Sequence, residues 1–557
     1  MMKIFRKFFL HNDNKPTNFM FGDDIPLNWI KVKNKKIEEK RIPWISGGYI
    51  IVFTIIIVRL LSLKIDFKFL EKKEEKVNEQ FPSFYRPDIT DRNGEVLATN
   101  LPTLDLYMDP SDMVNPENSV SELVKILPDL KYDDVIKKAK SDRKFVYLSR
   151  KISPLDQEKI TLIGEPGFKF IKSEGRVYPQ ANLFSHIIGN VDVDNKAMGG
   201  IEKYIDDKNL LQSHTPIVLS VDMYIQDAIR QNLMNAMEKY KAKSAGGIVM
   251  DVKTGEILGM VSLPDFLNSE YKNVVLNPLF NNHTTLDVYE VGSVMKIFNT
   301  ALAIENDYPN DKIFDVSKVF MIGNHRVKDS HPKKWLLNMA EGFVYSSNIV
   351  MANIAKDLGI ERQREFLKKL NLLSKINFEI PERGQPIVPK DWNEHANATI
   401  GYGYGLSLTM LHVVGAVNAI VNDGMFVNPT LLKRDENSLF KSYQVVSPEA
   451  SEAMRKLMRL VVTNGTGYMA NLHNVLVGGK TGTSYKLING QYDSDKTRTF
   501  FVSIFPTNAP KYTMLVMLDE ANNNGCNSAA CTTVPISAKI IEDISSILNL
   551  DIKISKK

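Results

Sequence analysis

The sequence predicts an α+β protein: a five-stranded antiparallel sheet flanked by terminal helices, broken by a long helical insert and tethered to a membrane. Three observations predict it. Runs rich in Val, Ile, Phe and Thr lie at 247–263 and again at 475–519, with a mainly helical pattern between about 285 and 465. Apolar residues at helical spacing flank them, near 222–240 and 534–548. Finally, Ile42 to Val58 is uncharged and mostly apolar, and Leu60, Leu61 and Leu63 continue it past Arg59. As a helix, 42–63 would rise roughly 33 Å, enough to cross a bilayer with Arg59 reaching one side.

From the N-terminus, residues 1–41 are polar, with Lys31, Lys33, Lys35, Lys36, Lys40 and Arg41 just before the apolar span. That cluster favours an N-terminus inside the cell, although Lys64, Lys68, Lys72, Lys73 and Lys76 lie on the far side. The apolar run starts too late for a cleaved signal peptide, and no A-x-A site follows it. Residues 64–80 are charged and read as a stalk. Asn93-Gly94, between β-prone flanks in Arg86-Pro87-Asp88-Ile89-Thr90-Asp91-Arg92-Asn93-Gly94-Glu95-Val96-Leu97-Ala98, predicts a hairpin. Asp222 can cap a helix running to about Tyr240, with Ile225, Ala228, Ile229, Leu233 and Ala236 on one face. Gly247–Val252 and Glu256–Leu263 read as a hairpin around Lys253-Thr254-Gly255. The other strand candidates are 475–484, 498–505 and 511–519, and Val534, Ile536, Ile540, Ile541 and Ile544 mark a closing helix.

Composition narrows the function. The 557 residues, 43% hydrophobic and 24% charged, are enough for a sizeable core. A net charge of +5, with no basic patch interleaved with aromatics, argues against a nucleic-acid partner. The two cysteines, Cys526 and Cys531, cannot build a metal cluster by themselves, and no H-E-x-x-H is present. In an oxidising compartment they could pair or stay free, since a separation of five residues need not bring the sulfurs together. Two glycine-rich stretches imitate cofactor sites. Gly479-Lys480-Thr481 lacks the glycine a phosphate loop needs at position 474, which is Asn474. Gly401-Tyr402-Gly403-Tyr404-Gly405 lacks the third spaced glycine of a dinucleotide site. No cofactor is expected.

The chemistry centres on Ser293-Val294-Met295-Lys296, followed by Ile297, Phe298, Ala301, Leu302 and Ile304 at helical spacing. Positions i and i+3 share a helix face, so a buried helix can hold the lysine amine beside the serine hydroxyl. A desolvated amine gives up its proton more easily and can then take one from serine, making a nucleophile without histidine. Ser346-Ser347-Asn348 follows between apolar stretches, and Lys480-Thr481-Gly482-Thr483 follows Val475-Leu476-Val477-Gly478-Gly479. S-x-x-K, S-x-N and K-T-G in this order are the set used by penicillin-binding proteins and serine β-lactamases.

The sequence resembles that family over roughly 42–545. R-x-x-I-x-D-R-N-G-x-x-L-A, Arg176-Val177-Tyr178-Pro179 and Gly199-Gly200-Ile201-Glu202-Lys203-Tyr204 further resemble the pedestal of class B penicillin-binding proteins, and S-S-N the division-specific, FtsI-type members. The resemblance implies a cytoplasmic tail (1–41), a transmembrane helix (42–63), a pedestal of the dimerisation type (64–212) and a transpeptidase domain (213–557). It implies that the protein crosslinks septal peptidoglycan through an acyl-enzyme. Ser293 would be the nucleophile, Lys296 the acylation base, Ser346 a proton relay and Asn348 a contact to the substrate peptide. Lys480, Thr481 and Thr483 would meet the carboxylate of a D-Ala-D-Ala stem, Gly482 would let substrate approach, and the N–H groups of Ser293 and Thr483 would form the oxyanion hole. Implied partners are stem peptides, β-lactams as covalent inhibitors, and membrane-spanning division proteins including a polytopic glycan polymerase. Val291 stands where the family usually has proline, and Val294-Met295 where it has Thr-Phe. Competing readings are an elongation enzyme, a β-lactam hydrolase or sensor, and a non-catalytic division scaffold. The long pedestal opposes the hydrolase and sensor, and the intact polar set opposes the scaffold.

Overall fold

A computed structural model of the chain describes residues 51–59, 86–211, 213–268, 276–323, 325–329, 335–435 and 440–550. Residues 51–59 are helical and exposed. The rest of the expected 42–63 span and the 64–80 stalk lie outside the described residues, among which no helix is long and apolar enough to cross a membrane.

The larger sheet has five antiparallel strands in the order Gly478–Ile488, Gln491–Phe505, Tyr512–Asp519, Ser244–Asp251, Ile257–Leu263. Its strands alternate between two cores, as the two-residue period of a strand dictates, apart from a register shift where Ile257–Leu263 pairs Ser244–Asp251. Phe501, Phe505, Val516, Leu518, Ala245 and Val249 face one core with the helices Met223–Tyr240 and Thr533–Ser545. Phe500, Val502, Ile504, Leu515, Met517, Ile248 and Met250 face the other, which the helical insert fills. Asp222 caps the first flanking helix as expected, accepting from Tyr224 N at 2.9 Å and Ile225 N at 3.1 Å. The insert lies between Leu263 and Gly478. It is mostly helical, but it also holds the short hairpin Phe320–Ile322/His325–Val327, which periodicity had not predicted. The strand pair 478–505 is also longer than expected: Asn489 and Gly490 turn with φ of 50° and 81°, and pairing runs on to Ile488↔Gln491.

The smaller sheet joins Val146–Ile152, Val96–Met108, Ile89–Thr90 and Ile217–Val218, with Phe168–Val177 also pairing Val96–Met108. The expected boundary after residue 212 is not a break in packing. Ile217–Val218 belongs to the smaller sheet, and Ile89, Leu97, Phe184, Ile187 and Ile201 share one core with the insert. Only the outer part of this region, around Leu106, Val120, Leu123 and Val146, has a core of its own. The three motifs singled out here meet. Glu202, fully buried, accepts from Arg86 Nε at 2.6 Å and from Arg176 Nε at 2.7 Å.

Candidate active site

Ser293 lies on a single 3₁₀ turn, Gly292–Met295, that runs into the buried helix Lys296–Glu305. Backbone packing holds this turn closely. Gly292 has φ +55°, and a Cβ there would lie 2.4 Å from Thr483 O. Gly403, at φ +122°, would meet Gly292 O at 2.0 Å, so both positions require glycine. A Cβ on Gly482 would meet Val291 O at 2.4 Å. Gly482 therefore admits the nucleophile's own turn.

Ser346 lies between the helices Met339–Val344 and Asn348–Leu358. It takes φ +63°, a left-handed form that a non-glycine residue seldom adopts. In that form both its oxygens meet Lys296, whose Nζ donates to Ser346 O at 2.5 Å and to Ser346 Oγ at 3.2 Å. The same Nζ donates to Asn348 Oδ1 at 2.8 Å. From the opposite side Lys480 Nζ donates to Ser346 Oγ at 2.9 Å and to Thr481 O at 3.2 Å. Two lysines thus flank one serine hydroxyl, and both are fully buried. Burial lowers Lys296 from the ordinary lysine range to about 7, against the opposing pull of Asp329. Burial and the charge of Lys296 hold Lys480 well below that range.

These groups back a cleft of about 910 Å³ lined by Ser293, Ser346, Asn348, Thr481 and Thr483 and walled by Tyr345, Tyr402, Tyr404, Tyr485 and Tyr492. Thr481 Oγ1 and Thr466 Oγ1 lie 2.6 Å apart, which ties the Gly465-Thr466-Gly467 loop to the strand. Thr483 Oγ1 accepts from Ala529 N at 3.1 Å. Cys526 and Cys531 are bonded, with S–S 2.01 Å, and close the loop whose Asn527, Ser528 and Ala529 line the cleft. Lys480 itself does not line the cleft. Strand alternation turns its side chain into the core, while Thr481 and Thr483 line the cleft.

The second K-T-G behaves as predicted for a turn. Asp251 Oδ1 accepts from Lys253 N and Thr254 N, and Lys253 is exposed and pairs with Asp423 at 3.1 Å. Sequence reasoning missed Asp329. Its Oδ2 accepts from Ser347 Oγ at 2.5 Å, and its Oδ1 accepts from Asn348 N at 2.6 Å and Ile349 N at 3.1 Å. It also missed Glu290, which accepts from Gly405 N at 2.7 Å and Tyr492 OH at 3.0 Å. Asp329 sits in no motif with fixed spacing to the serine; Glu290 does lie three residues before Ser293, but its partners Gly405 and Tyr492 are far away in sequence. Tyr402 and Tyr404 were legible only as members of a G-Y-G stretch.

A reactive-type serine, two buried lysines and an intervening hydroxyl, with a strand edge to receive a peptide, suit acyl transfer. The family model of the penicillin-binding protein transpeptidase domain matches residues 245–542, and that of the penicillin-binding protein dimerisation domain matches 84–208. The chain is 30% identical to the probable peptidoglycan D,D-transpeptidase FtsI of Caulobacter vibrioides, over 84% of this chain and 82% of that one. It is 27% identical to the probable peptidoglycan D,D-transpeptidase PenA of Neisseria gonorrhoeae, over 89% and 90%. A peptidoglycan synthetase from Bifidobacterium adolescentis shares the fold, with TM-score 0.68, 17% identity and coverage of 85% of this chain and 97% of that one. The chain belongs to the transpeptidase family of penicillin-binding proteins. Within that family, its joined dimerisation and transpeptidase domains are those of a class B peptidoglycan D,D-transpeptidase of the FtsI type.

Proposed function

We propose that the protein crosslinks stem peptides of septal peptidoglycan, with Ser293 as nucleophile. The observation that carries this reading is Ser346 Oγ, held 3.2 Å from Lys296 Nζ and 2.9 Å from Lys480 Nζ behind the cleft that Ser293 lines. Neutral Lys296 takes the Ser293 proton as Ser293 Oγ attacks the carbonyl of a D-Ala-D-Ala stem. The proton passes by way of Ser346 Oγ to the departing D-Ala nitrogen, leaving an ester on Ser293. An amine of a neighbouring stem then attacks the ester, and Ser293 recovers its proton by the reverse path. Thr481 and Thr483 hold the terminal carboxylate, which also favours the charged form of Lys480 behind them. Asn348 bonds the peptide. The backbone N–H groups of Ser293 and Thr483 receive the oxyanion, where one such donor contributes roughly 2.7–4 kcal/mol.

A penicillin enters by the same attack and stays, because the sequence offers no base dedicated to activating water against the ester. The 42–63 segment would anchor the protein in the cytoplasmic membrane with the N-terminus inside and the catalytic domain outside. From there the pedestal would meet membrane-spanning division proteins. Mass mapping after labelling with a fluorescent penicillin tests the site. Ser293→Ala should abolish labelling with thermal unfolding nearly unchanged, and retained labelling at another serine overturns the assignment. Depletion should give filaments with blocked septa; rounded cells would instead support an elongation role.

A further inference from the structure

Ser346 holds an unfavourable backbone conformation, and something must pay for it. A left-handed non-glycine residue costs on the order of 1–3 kcal/mol and persists only where its surroundings over-determine it. The three residues that follow it are held by one side chain that comes from neither helix. Asp329 follows the hairpin strand His325–Val327, which Val327, 2% exposed, anchors in the core. Its carboxylate receives three donors: the Ser347 hydroxyl and the N–H groups of Asn348 and Ile349, all within 3.1 Å. The two N–H groups are orphan donors at the start of the helix Asn348–Leu358, where a negative charge is favoured. The preceding residue completes the clamp. Lys328 O accepts from Asn348 Nδ2 at 3.2 Å, which leaves Asn348 Oδ1 turned toward Lys296 Nζ.

We propose that Asp329 is a positioning residue for acylation: it clamps the Ser346–Asn348 turn in the form that receives Lys296, and its charge acts on the lysine amine. This rests on the reading of Lys296 as the base. One charged group acts on that amine against the effect of burial, Asp329 from the insert. Asp329 favours the protonated lysine, while burial favours the neutral one. Besides Asp329 and the tyrosines, the charged and titratable groups lining the cleft are His325, Arg326, Lys328 and His395, and the nearby acid Glu290 is engaged by Gly405 and Tyr492.

The two ways in which Asp329 could matter move the pH profile in opposite directions. Asp329→Asn keeps an oxygen for the helix start and lets Ser347 turn its hydroxyl, but it removes the charge. With the charge gone, Lys296 loses its proton at lower pH. If Asp329 merely supported the fold, its loss would loosen the turn and admit water to Lys296, so the lysine would move back up toward its ordinary range. The experiment is the second-order rate of acylation of the full chain by a fluorescent penicillin between pH 5 and 10, for the parent, Asp329→Asn and Asp329→Ala. For Asp329→Asn the midpoint of the acid limb should fall by about 0.5–1 pH unit. For Asp329→Ala the plateau rate should drop tenfold or more, because the strained turn loses its clamp. A midpoint that stays or rises in Asp329→Asn overturns the proposal, as does an Asp329→Ala plateau within twofold of the parent. If Asp329→Ala shows no thermal unfolding transition, the Asp329→Asn midpoint decides alone. Labelling lost in Ser293→Ala but a midpoint unmoved in Asp329→Asn would sink this inference and leave the catalytic reading standing.

Discussion

At the scale of single residues, the two buried lysines have opposite requirements. Lys296 must be neutral to accept a proton, whereas a carboxylate held at Thr481 and Thr483 favours a charged Lys480. Since burial brings Lys296 to about 7, its neutral form predominates above that pH and is lost below it. The acylation rate should therefore fall about tenfold per pH unit below roughly 7 and level off above it, because each unit reduces the neutral amine tenfold. Stopped-flow acylation across pH 5–9 checks this; a rate still flat at pH 5 would remove Lys296 as the base. Lys480 has an internal control. Lys480→Ala deletes a fully buried amine that donates to Ser346 Oγ, and charge-assisted bonds of this kind contribute about 1.5–3 kcal/mol. Acylation should slow roughly tenfold to a hundredfold. Lys253→Ala removes only an exposed ion pair with Asp423 and should change the rate less than about twofold. Equal losses in the two variants would show that the wrong K-T-G had been chosen.

At the scale of elements, the loop 526–531 supports the strand edge. Its disulfide closes a short loop, so on the chain-entropy estimate it stabilises the fold by only about 2 kcal/mol. Its local effect is larger, because Ala529 N donates to Thr483 Oγ1 and Asn527 O accepts from Thr497 Oγ1 at 2.8 Å. Converting both cysteines to serine should lower acylation severalfold while the protein stays folded. Rates unchanged within error would mean the loop keeps its shape without the bond. The sequence could not decide this pairing, because the approach of two sulfurs depends on the path of the loop and not on its length. It was more legible elsewhere. All five strands and both flanking helices of the larger sheet could be read, the strands as apolar runs and the helices from helical spacing, since a sheet between two cores is apolar on both faces. The hairpin extension past Tyr485 was missed, although Asn489-Gly490 marks it, because its exposed strands carry no apolar alternation. Ser293, Lys296, Ser346, Asn348, Thr481 and Thr483 could be read from spacing, and the structure gathers them. Asp329 could not, since it reaches the site from a two-stranded piece too short to show a period.

At the scale of the whole molecule, the pedestal and the catalytic domain are less separate than two family matches suggest. Glu202 ties Arg86 to Arg176, the three of them almost wholly buried, and Arg86 Nη2 also donates to Asp206 Oδ1 at 2.5 Å. Around this cluster, Ile89, Leu97, Phe184 and Ile201 belong to the core that also contains Val291, Val294 and Ile297 beside the nucleophile. Disturbing the ion cluster should therefore be felt at the active site. Glu202→Gln takes the carboxylate from the buried Arg176 and leaves Arg86 with Asp206 alone, and breaking a buried pair in this way costs about 3–5 kcal/mol. If the core is one cooperative unit, the variant should melt in a single transition at a lower temperature, and penicillin labelling of Ser293 should vanish over that same interval. Calorimetry and labelling taken on one temperature series measure both. A pedestal that melts early while labelling persists to the parent's temperature would show two independently stable domains, and the shared core would then be mere contact between them.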